Sequence, residues 1–382
     1  MLSTTLMLIM LFIFSCGINS PVSSTPIDPE TGFIRALSVE NNRLSFTTME
    51  NTFVSINYQN RNNSIDRFRG WTAGEATTTH RYQLPVSRAV INYQVNMRVY
   101  SSANVFVRDT TFTFTSTAPT YSHLKVHFIN VQQGDAILIQ TPDGKNVQID
   151  GGYGSFSRDR EAWTGAGETI ALNYLMRNNV THLDYLIETH RHQDHWGGLQ
   201  DITRSSITHG RYVSVSNPQG YTRNSRLRLS SPVEFIFYNI GFPPNISENL
   251  NNSSIVLKMT YGNAEFLFTG DAEGALQSWL VDQRLNLSSN VFLVSHHGAS
   301  SNSTTTPAFL NRVLNQFASV AILSYGTNNP YNHPRDLSRF NRFQTFGTNP
   351  VSSPPSGNNF HFNCGTIIVW SDGRMVFVST ER

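Results

Sequence analysis

Between Glu188 and Gly198 the chain reads ETHRHQDHWGG, which places His190, His192, Asp194 and His195 within six positions and follows them with Gly197 and Gly198. Imidazole nitrogen and carboxylate oxygen are ordinary donors to zinc and similar divalent ions. His190 and His192, two apart just past a strand end, can point the same way at one cation. Asp194 and His195, beyond the bend, can reach a second. A polar loop with chance histidines has no need of that spacing immediately after an apolar strand. The two glycines are expected to let the chain turn away closely into a helix.

Three later strand ends carry groups of the same kind. EFLFTGD ends in Gly270 and Asp271, and a carboxylate there could bridge two cations whose like charges need an anion between them. FLVSHHGASSN ends in His296 and His297, of which one can bind metal while its neighbour handles a proton or orients substrate. SYGTNNPYNHP sets His333 on a loop rich in Pro and Asn. In layered α/β folds, sites gather at such edges. The serines after His297 form no Ser-His-Asp arrangement and read as a polar loop.

The elements that must hold these groups follow from periodicity. Residues 33–118 contain short segments rich in β-branched and aromatic residues, among them RLSFTTM, TFVSINYQ, HRYQLP, INYQVNMRVYSS and VFVRDTTFTFTST. They alternate with period two and no helical stretch intervenes, which predicts a small all-β sandwich of immunoglobulin or fibronectin type. His80 lies there and is expected on the surface or in a loop. TAPTYS (117–122) reads as the joint to a second domain spanning 120–382. There strands (LKVHFINV, AILIQTP, NVQIDGG, HLDYLIET, NVFLVSHH, VAILSYG) alternate with helical segments, the pattern of an α/β layer protein. SSIVLKMTYGNAEFLFTGD predicts a hairpin turning at Gly262-Asn263, and TIIVWSDGRMVFV one turning at Asp372-Gly373.

A chain of 382 residues has length for two domains. Charged residues make up 14% and the net charge is +2, so binding of duplex nucleic acid by bulk charge is not supported. Leu6–Phe14 is an apolar run of signal-peptide length, too short to span a bilayer comfortably. The expectation is a signal peptide over 1–17, a polar leader over 18–32, a secreted protein, and no transmembrane segment once the signal is gone. Cys16 leaves with the signal, and Cys364 alone cannot form an intrachain disulfide. Asn-x-Ser/Thr sequons, such as those at Asn62, Asn245 and Asn286, allow a glycoprotein.

Taken in order, FINVQQGDAILIQTPDGKNVQIDGG, THRHQDHWGG, FTGDAE, SHHGASSN and NNPYNHP resemble the metallo-β-lactamase fold hydrolases. The resemblance is closest to the branch of ComEC-type DNA-uptake proteins and bacterial phosphorylcholine esterase, and covers about 120–382. It implies an αββα sandwich with two metals at one edge. It further implies that His190 and His192 hold one metal, that Asp194, His195 and His297 hold the other, and that Asp271 bridges. His296 would act as proton donor or support, His333 would face the leaving group, and Asp150 would support the ligand loop. Asp135 reads as structural. The lactamases' third histidine on the first metal is missing, since only His209 lies in that interval and it comes too early. That absence, with Asp271 where some lactamases have cysteine, argues against β-lactam hydrolysis.

The expected cofactors are thus two divalent ions, zinc first and manganese second, with no organic cofactor. Bound together they would lower the pKa of a shared water, giving a hydroxide that attacks phosphorus or a carbonyl carbon. The catalytic set is Asp194, His296 and His333, the histidines protonating the leaving oxygen. The substrate expected is a phosphodiester, with nucleic acid in that class. The alternatives are a small ester, lactone or choline phosphoester, and a non-catalytic secreted binding protein.

Overall fold

Strict alternation builds the N-terminal sheet. The computed structural model describes residues 33–118, 123–155, 170–230, 232–246, 249–299, 305–315, 317–327, 329–357 and 359–381. The expected signal, leader and interdomain joint lie largely outside them. Six strands open the described chain: β1 (Ile34–Glu40), β2 (Arg43–Asn60), β3 (Asn63–Thr72), β4 (Thr77–Gln83), β5 (Asn92–Ser101) and β6 (Phe106–Thr115). On β5, Tyr93, Val95, Met97 and Val99 are buried while Asn92, Gln94, Asn96 and Arg98 face out. RLSFTTM and TFVSINYQ form one strand of 18 residues rather than two, because neither Pro nor Gly interrupts 43–60. Its first half pairs with β1 and β4, its second half with β3 and β5.

His80 departs from expectation. It is fully buried on β4, with Nε2 3.0 Å from Thr52 Oγ1 and Nδ1 2.6 Å from Tyr82 Oη. Alternation alone puts it inward, where polar partners satisfy both ring nitrogens.

The C-terminal part has two further sheets' worth of strands. The first set is β7 (Leu124–Phe128), β8 (Ile137–Gln140), β9 (Asn146–Ile149), β10 (His182–Ile187) and β11 (Thr208–Val213), with helices α1 (Ile170–Arg177) and α2 (Gln193–Thr203). The second is β12 (Arg226–Arg228), β13 (Val233–Asn239), β14 (Val256–Tyr261), β15 (Ala264–Phe268), β16 (Val291–Leu293), β17 (Val320–Leu323), β18 (Gln344–Gly347) and β19 (Phe360–His361), with helices α3 (Gly274–Asp282) and α4 (Pro307–Val313). The chain ends in the hairpin β20 (Thr366–Ser371) and β21 (Met375–Glu381), which joins the first sheet.

The layers are visible in what each core contains. Val126, Ile139, Ile149 and Ile187 of the first sheet meet Phe235, Leu257, Phe268, Leu293 and Ile322 of the second in one core. Outside the first sheet, α1 and α2 bury Tyr174, Leu175, Leu199 and Ile202. Outside the second, α3 and α4 bury Leu276, Leu280, Phe309 and Val313. The order is helix, sheet, sheet, helix, the expected αββα sandwich.

The N-terminal strands share hydrogen bonds with this sandwich. β21 pairs with β20 on one side and β3 on the other, so the first sheet runs on through β3, β2, β5 and β6. Phe377 lies opposite Gly70 and enters the N-terminal core beside Tyr58. A Cβ on Gly70 would stand 2.3 Å from the Phe377 ring, so the approach requires glycine. Phe317, beyond α4, stacks on Phe53 at 4.9 Å.

Candidate metal centre

The eight residues expected in the site lie on one edge of the sandwich. His190 follows β10 after Glu188 and Thr189, His192 is the N-cap of α2, and Asp194 and His195 occupy its first turn. Asp271 follows β15, and His296 and His297 follow β16. His333 follows β17 on a longer loop. Gly197 and Gly198 lie inside α2 rather than at a turn. Their role is close approach: a Cβ on Gly198 would stand 2.0 Å from the Gly151 carbonyl oxygen. Backbone strain gathers here, with Asp150 (φ 52°), His296 (φ 50°) and His297 (φ 53°) all left-handed.

The two oxygens of Asp271 face different groups. Oδ1 lies 3.1 Å from His195 Nε2 and 3.6 Å from His297 Nε2. Oδ2 lies 3.5 Å from His190 Nε2 and 3.9 Å from His296 Nε2. His297 Nε2 is 3.2 Å from Asp194 Oδ2, and His190 Nε2 is 3.0 Å from His192 Nδ1. Four ligand triads result among the described residues, His190–His195–Asp271, Asp194–His195–His297, Asp135–Asp150–His195 and Asp135–Asp271–His297, each with donor atoms within 4.8 Å of one another.

Neighbours fix which ring nitrogen reaches the centre. Asp150 is fully buried and accepts from Thr189 N at 2.8 Å, from Thr189 Oγ1 at 2.6 Å and from His195 Nδ1 at 2.8 Å. His297 Nδ1 donates to the Ser324 carbonyl at 2.9 Å. Both rings therefore turn Nε2 toward the centre. Asp135, expected to be structural, belongs to the cluster: its carboxylate lies 3.6 Å from His297 Nδ1 and 3.9 Å from His195 Nδ1. Glu273 also went unnoticed in the sequence. It accepts from Asn249 and Asn251 amides at 2.8 Å each and stands 3.5 Å from His296 Nδ1. Its only signal was its place two residues after Asp271.

Electrostatics point to missing positive charge. Asp135, Asp150, Asp194 and Asp271 cluster together, and among the described residues none is in an ion pair with Lys or Arg. Burial would raise the Asp271 pKa, yet His195, His297, His296 and His190 hold it well below the carboxylate range. Burial would lower His297, yet Asp271, Asp194 and Asp135 raise it to about 9. His195 is likewise raised against its burial, by Asp271, Asp150 and Asp194. Asp135 is pushed up to about 7 by burial, against the pull of His297 and His195. Burial lowers His296, and lowers His333 to about 3 with help from His297 and His296. His195 Nε2, His297 Nε2 and Asp271 Oδ1 are buried without a well-formed hydrogen bond. Orphaned donors of this chemistry, converging among buried carboxylates, fit divalent cations.

The centre floors a cleft of about 320 Å³, with His296 and His333 on one wall, Gln133 and Tyr153 also lining it, and Tyr331 half exposed at the rim. His209 is elsewhere, exposed on β11, so the structure supplies no third histidine beside His190 and His192 from that strand.

Residues 129–226 match the model of the metallo-beta-lactamase superfamily. The chain is 27% identical over 240 residues to ComE operon protein 3 of Bacillus subtilis (strain 168), covering 55% of this chain and 29% of that protein. It is 29% identical over 231 residues to competence protein ComA of Neisseria gonorrhoeae, covering 59% and 30% respectively. The matched region thus spans under a third of the length of these relatives. Among solved structures, a diphosphatase of the PhnP family aligns with TM-score 0.34 at 10% identity, covering 68% of this chain and 100% of that one. A metallo-beta-lactamase of Cronobacter sakazakii aligns with TM-score 0.31 at 13% identity, covering 44% and 76%.

Proposed function

We propose that this chain, whose residues 129–226 match the metallo-beta-lactamase superfamily model, is an exported, metal-dependent phosphodiester hydrolase, with nucleases inside that class. The observation that carries this reading is the division of the Asp271 carboxylate, one oxygen toward His195 and His297 and the other toward His190 and His296. His190 and His192 would hold one divalent ion, Asp194, His195 and His297 the other, and Asp271 both. Nitrogen-rich ligation suits zinc, and the carboxylates leave room for manganese. When bound, such a pair supplies Lewis acidity and an activated water at neutral pH.

The protein's own groups do the rest. Asp150 and the Ser324 carbonyl orient the His195 and His297 rings. Glu273 faces His296 Nδ1, so Nε2 is the nitrogen turned toward the Asp271 side of the cleft. From there His296 can pass a proton to a leaving oxygen, with His333 beside it at a ring separation of 5.3 Å. Two histidines rather than three at the first position leave space for a charged phosphoryl oxygen. Export rests on the Leu6–Phe14 run. Among the described residues no helix is long and apolar enough to cross a membrane.

The test is a substrate panel of aryl phosphodiesters, DNA, RNA, phosphorylcholine esters, lactones and a β-lactam, run with zinc or manganese. Phosphodiester turnover that chelation abolishes is expected. Turnover of lactone or β-lactam without phosphodiester turnover overturns the reading.

A further inference from the structure

The outward face of the N-terminal sheet is a grid of cations and amides. Register aligns Arg67, Gln59 and Gln94 in one row, Arg69, Asn57 and Asn96 in the next, and Trp71, Ser55 and Arg98 in a third. Arg67 and Arg69 are two residues apart on β3, so their Cα atoms stand about 7 Å apart on one face. A bare sheet face would be flat. Here the chain around Asn359 to His361 rises beside it and makes a cleft of about 550 Å³. A second hollow of about 460 Å³ continues along Arg67 and Arg69 toward Ser379.

The charge in this cleft is unbalanced. No aspartate or glutamate is among the described residues that line either hollow. Asp109, in register with Arg98, lies on β6 outside the cleft lining. Arg69, half buried, meets the ring nitrogens of His361 rather than an anion, with Nη1 3.1 Å from Nδ1. Arg67 meets the amide oxygen of Gln59 at 2.9 Å. Burial, then Arg69 and Arg67, keep His361 neutral by lowering its pKa to about 4, so it accepts from Arg69 and adds no charge. Three guanidinium groups facing one cleft without a carboxylate repel one another, and an outside oxyanion relieves that repulsion.

The amides narrow the ligand. Asn57 and Gln94 offer both donor and acceptor, Gln59 and Asn96 add amide donors beside oxygens that accept from Arg67 and Thr111, and Gln344 adds an acceptor while its amide donates to Asn359, a pattern that matches hydroxyl groups. A single-stranded nucleic acid needs open aromatic platforms for its bases. Trp71, the largest ring of the face, is only 8% exposed, and Tyr100 and Phe360, which also line the cleft, are half-buried and already pack on Phe317 and Phe362. We propose that this cleft is a binding site for an acidic oligosaccharide, its carboxylate or sulfate groups held by Arg67, Arg69 and Arg98 and its hydroxyls by the amide grid. The site goes beyond the hydrolase reading and does not depend on it.

The test uses full-length protein and titration calorimetry with a galacturonic acid hexamer, a heparin-derived hexasaccharide, neutral maltohexaose and a single-stranded oligonucleotide of matched charge. Binding of at least one acidic sugar is expected, weakening with salt, with maltohexaose at least tenfold weaker. The double variant Arg67→Gln/Arg98→Gln, both exposed positions, is expected to weaken that binding at least tenfold while metal content and phosphodiester turnover stay unchanged. Failure of both acidic sugars to bind, equal binding of maltohexaose, tighter binding of the oligonucleotide, or indifference to the double variant each overturns the proposal.

Discussion

His195 Nδ1 stands 2.8 Å from Asp150 Oδ2, and the same carboxylate also receives the Thr189 amide and hydroxyl. One buried group thus ties the end of β10 to the start of α2 and sets the His195 tautomer. Asp150→Asn keeps the shape, and asparagine tolerates the left-handed φ of 52°. It replaces one acceptor by a donor where three donors converge. Metal affinity is expected to fall about 10–100-fold, as for other carboxylates behind a ligating histidine. Competition with a chromophoric chelator measures it, and wild-type affinity would remove Asp150 from this role.

Asp271→Ala is expected to remove more metal than His190→Ala or His297→Ala. The substitution deletes the group whose two oxygens face both halves of the centre and leaves the surrounding histidines without their main counter-charge. His190→Ala should weaken chiefly one ion and His297→Ala the other. Metal analysis after dialysis ranks the three variants. Two retained ions in Asp271→Ala would show that it does not bridge.

Much of this site was legible because ligand chemistry is local. His190, His192, Asp194, His195, Asp271, His296, His297 and His333 come after short apolar runs that read as buried strands. Asp135 and Glu273 were missed because their roles depend on what lies across the cleft, His297 and His195 for one and His296 for the other. Alternating strands and helices gave an α/β layer protein, and the αββα order came from the family resemblance. β1, β3, β11, β12, β13, β18 and β19 were not anticipated, and the two strands expected within 43–60 proved to be one. The pairing of β21 with β3 was beyond reach, since it joins residues some three hundred positions apart and leaves no periodic trace.

His296→Gln is expected to keep both ions and lose turnover by about 10²-fold or more, the scale of a lost proton donor. Glu273→Gln, which keeps the shape but not the charge opposite Nδ1, should lower turnover less. Both need metal content measured beside phosphodiester rates. Loss of an ion in His296→Gln, with none lost in His297→Ala, would mean that the neighbours exchange roles.

Phe377→Ala tests how the N-terminal strands and the sandwich depend on each other. The ring is fully buried, packs against Tyr58 and fills the space above Gly70. Truncation is expected to cost about 3–5 kcal/mol. Because β3 and β21 share one ladder, the loss should lower the melting temperature of the metal-bearing part as well. Calorimetry of the variant with and without zinc is the check. A fall confined to a separate, zinc-independent transition would show that the two parts unfold independently.

His80 gives an expectation about acid. Burial lowers its pKa from 6.5 to about 4, with a smaller opposing effect from the Thr77 backbone. Between those values the unfolded chain carries a proton on this ring and the folded chain does not. The unfolded state binds more protons there, so stability is intact above pH 6.5 and declines as pH falls toward 4. The gap corresponds to about 3 kcal/mol at full effect. His80→Gln offers hydrogen-bonding groups to Thr52 and Tyr82 but cannot take up a proton. It is expected to cost stability at pH 8 through lost stacking on Phe46, at 4.4 Å between rings, yet to fall less steeply below pH 6.5 than the wild type. Buried His127, lowered to about 3, is common to both proteins and cancels in the difference. Denaturant midpoints measured from pH 8 to pH 4 decide the matter, and parallel curves would mean that His80 is not the group through which acid acts.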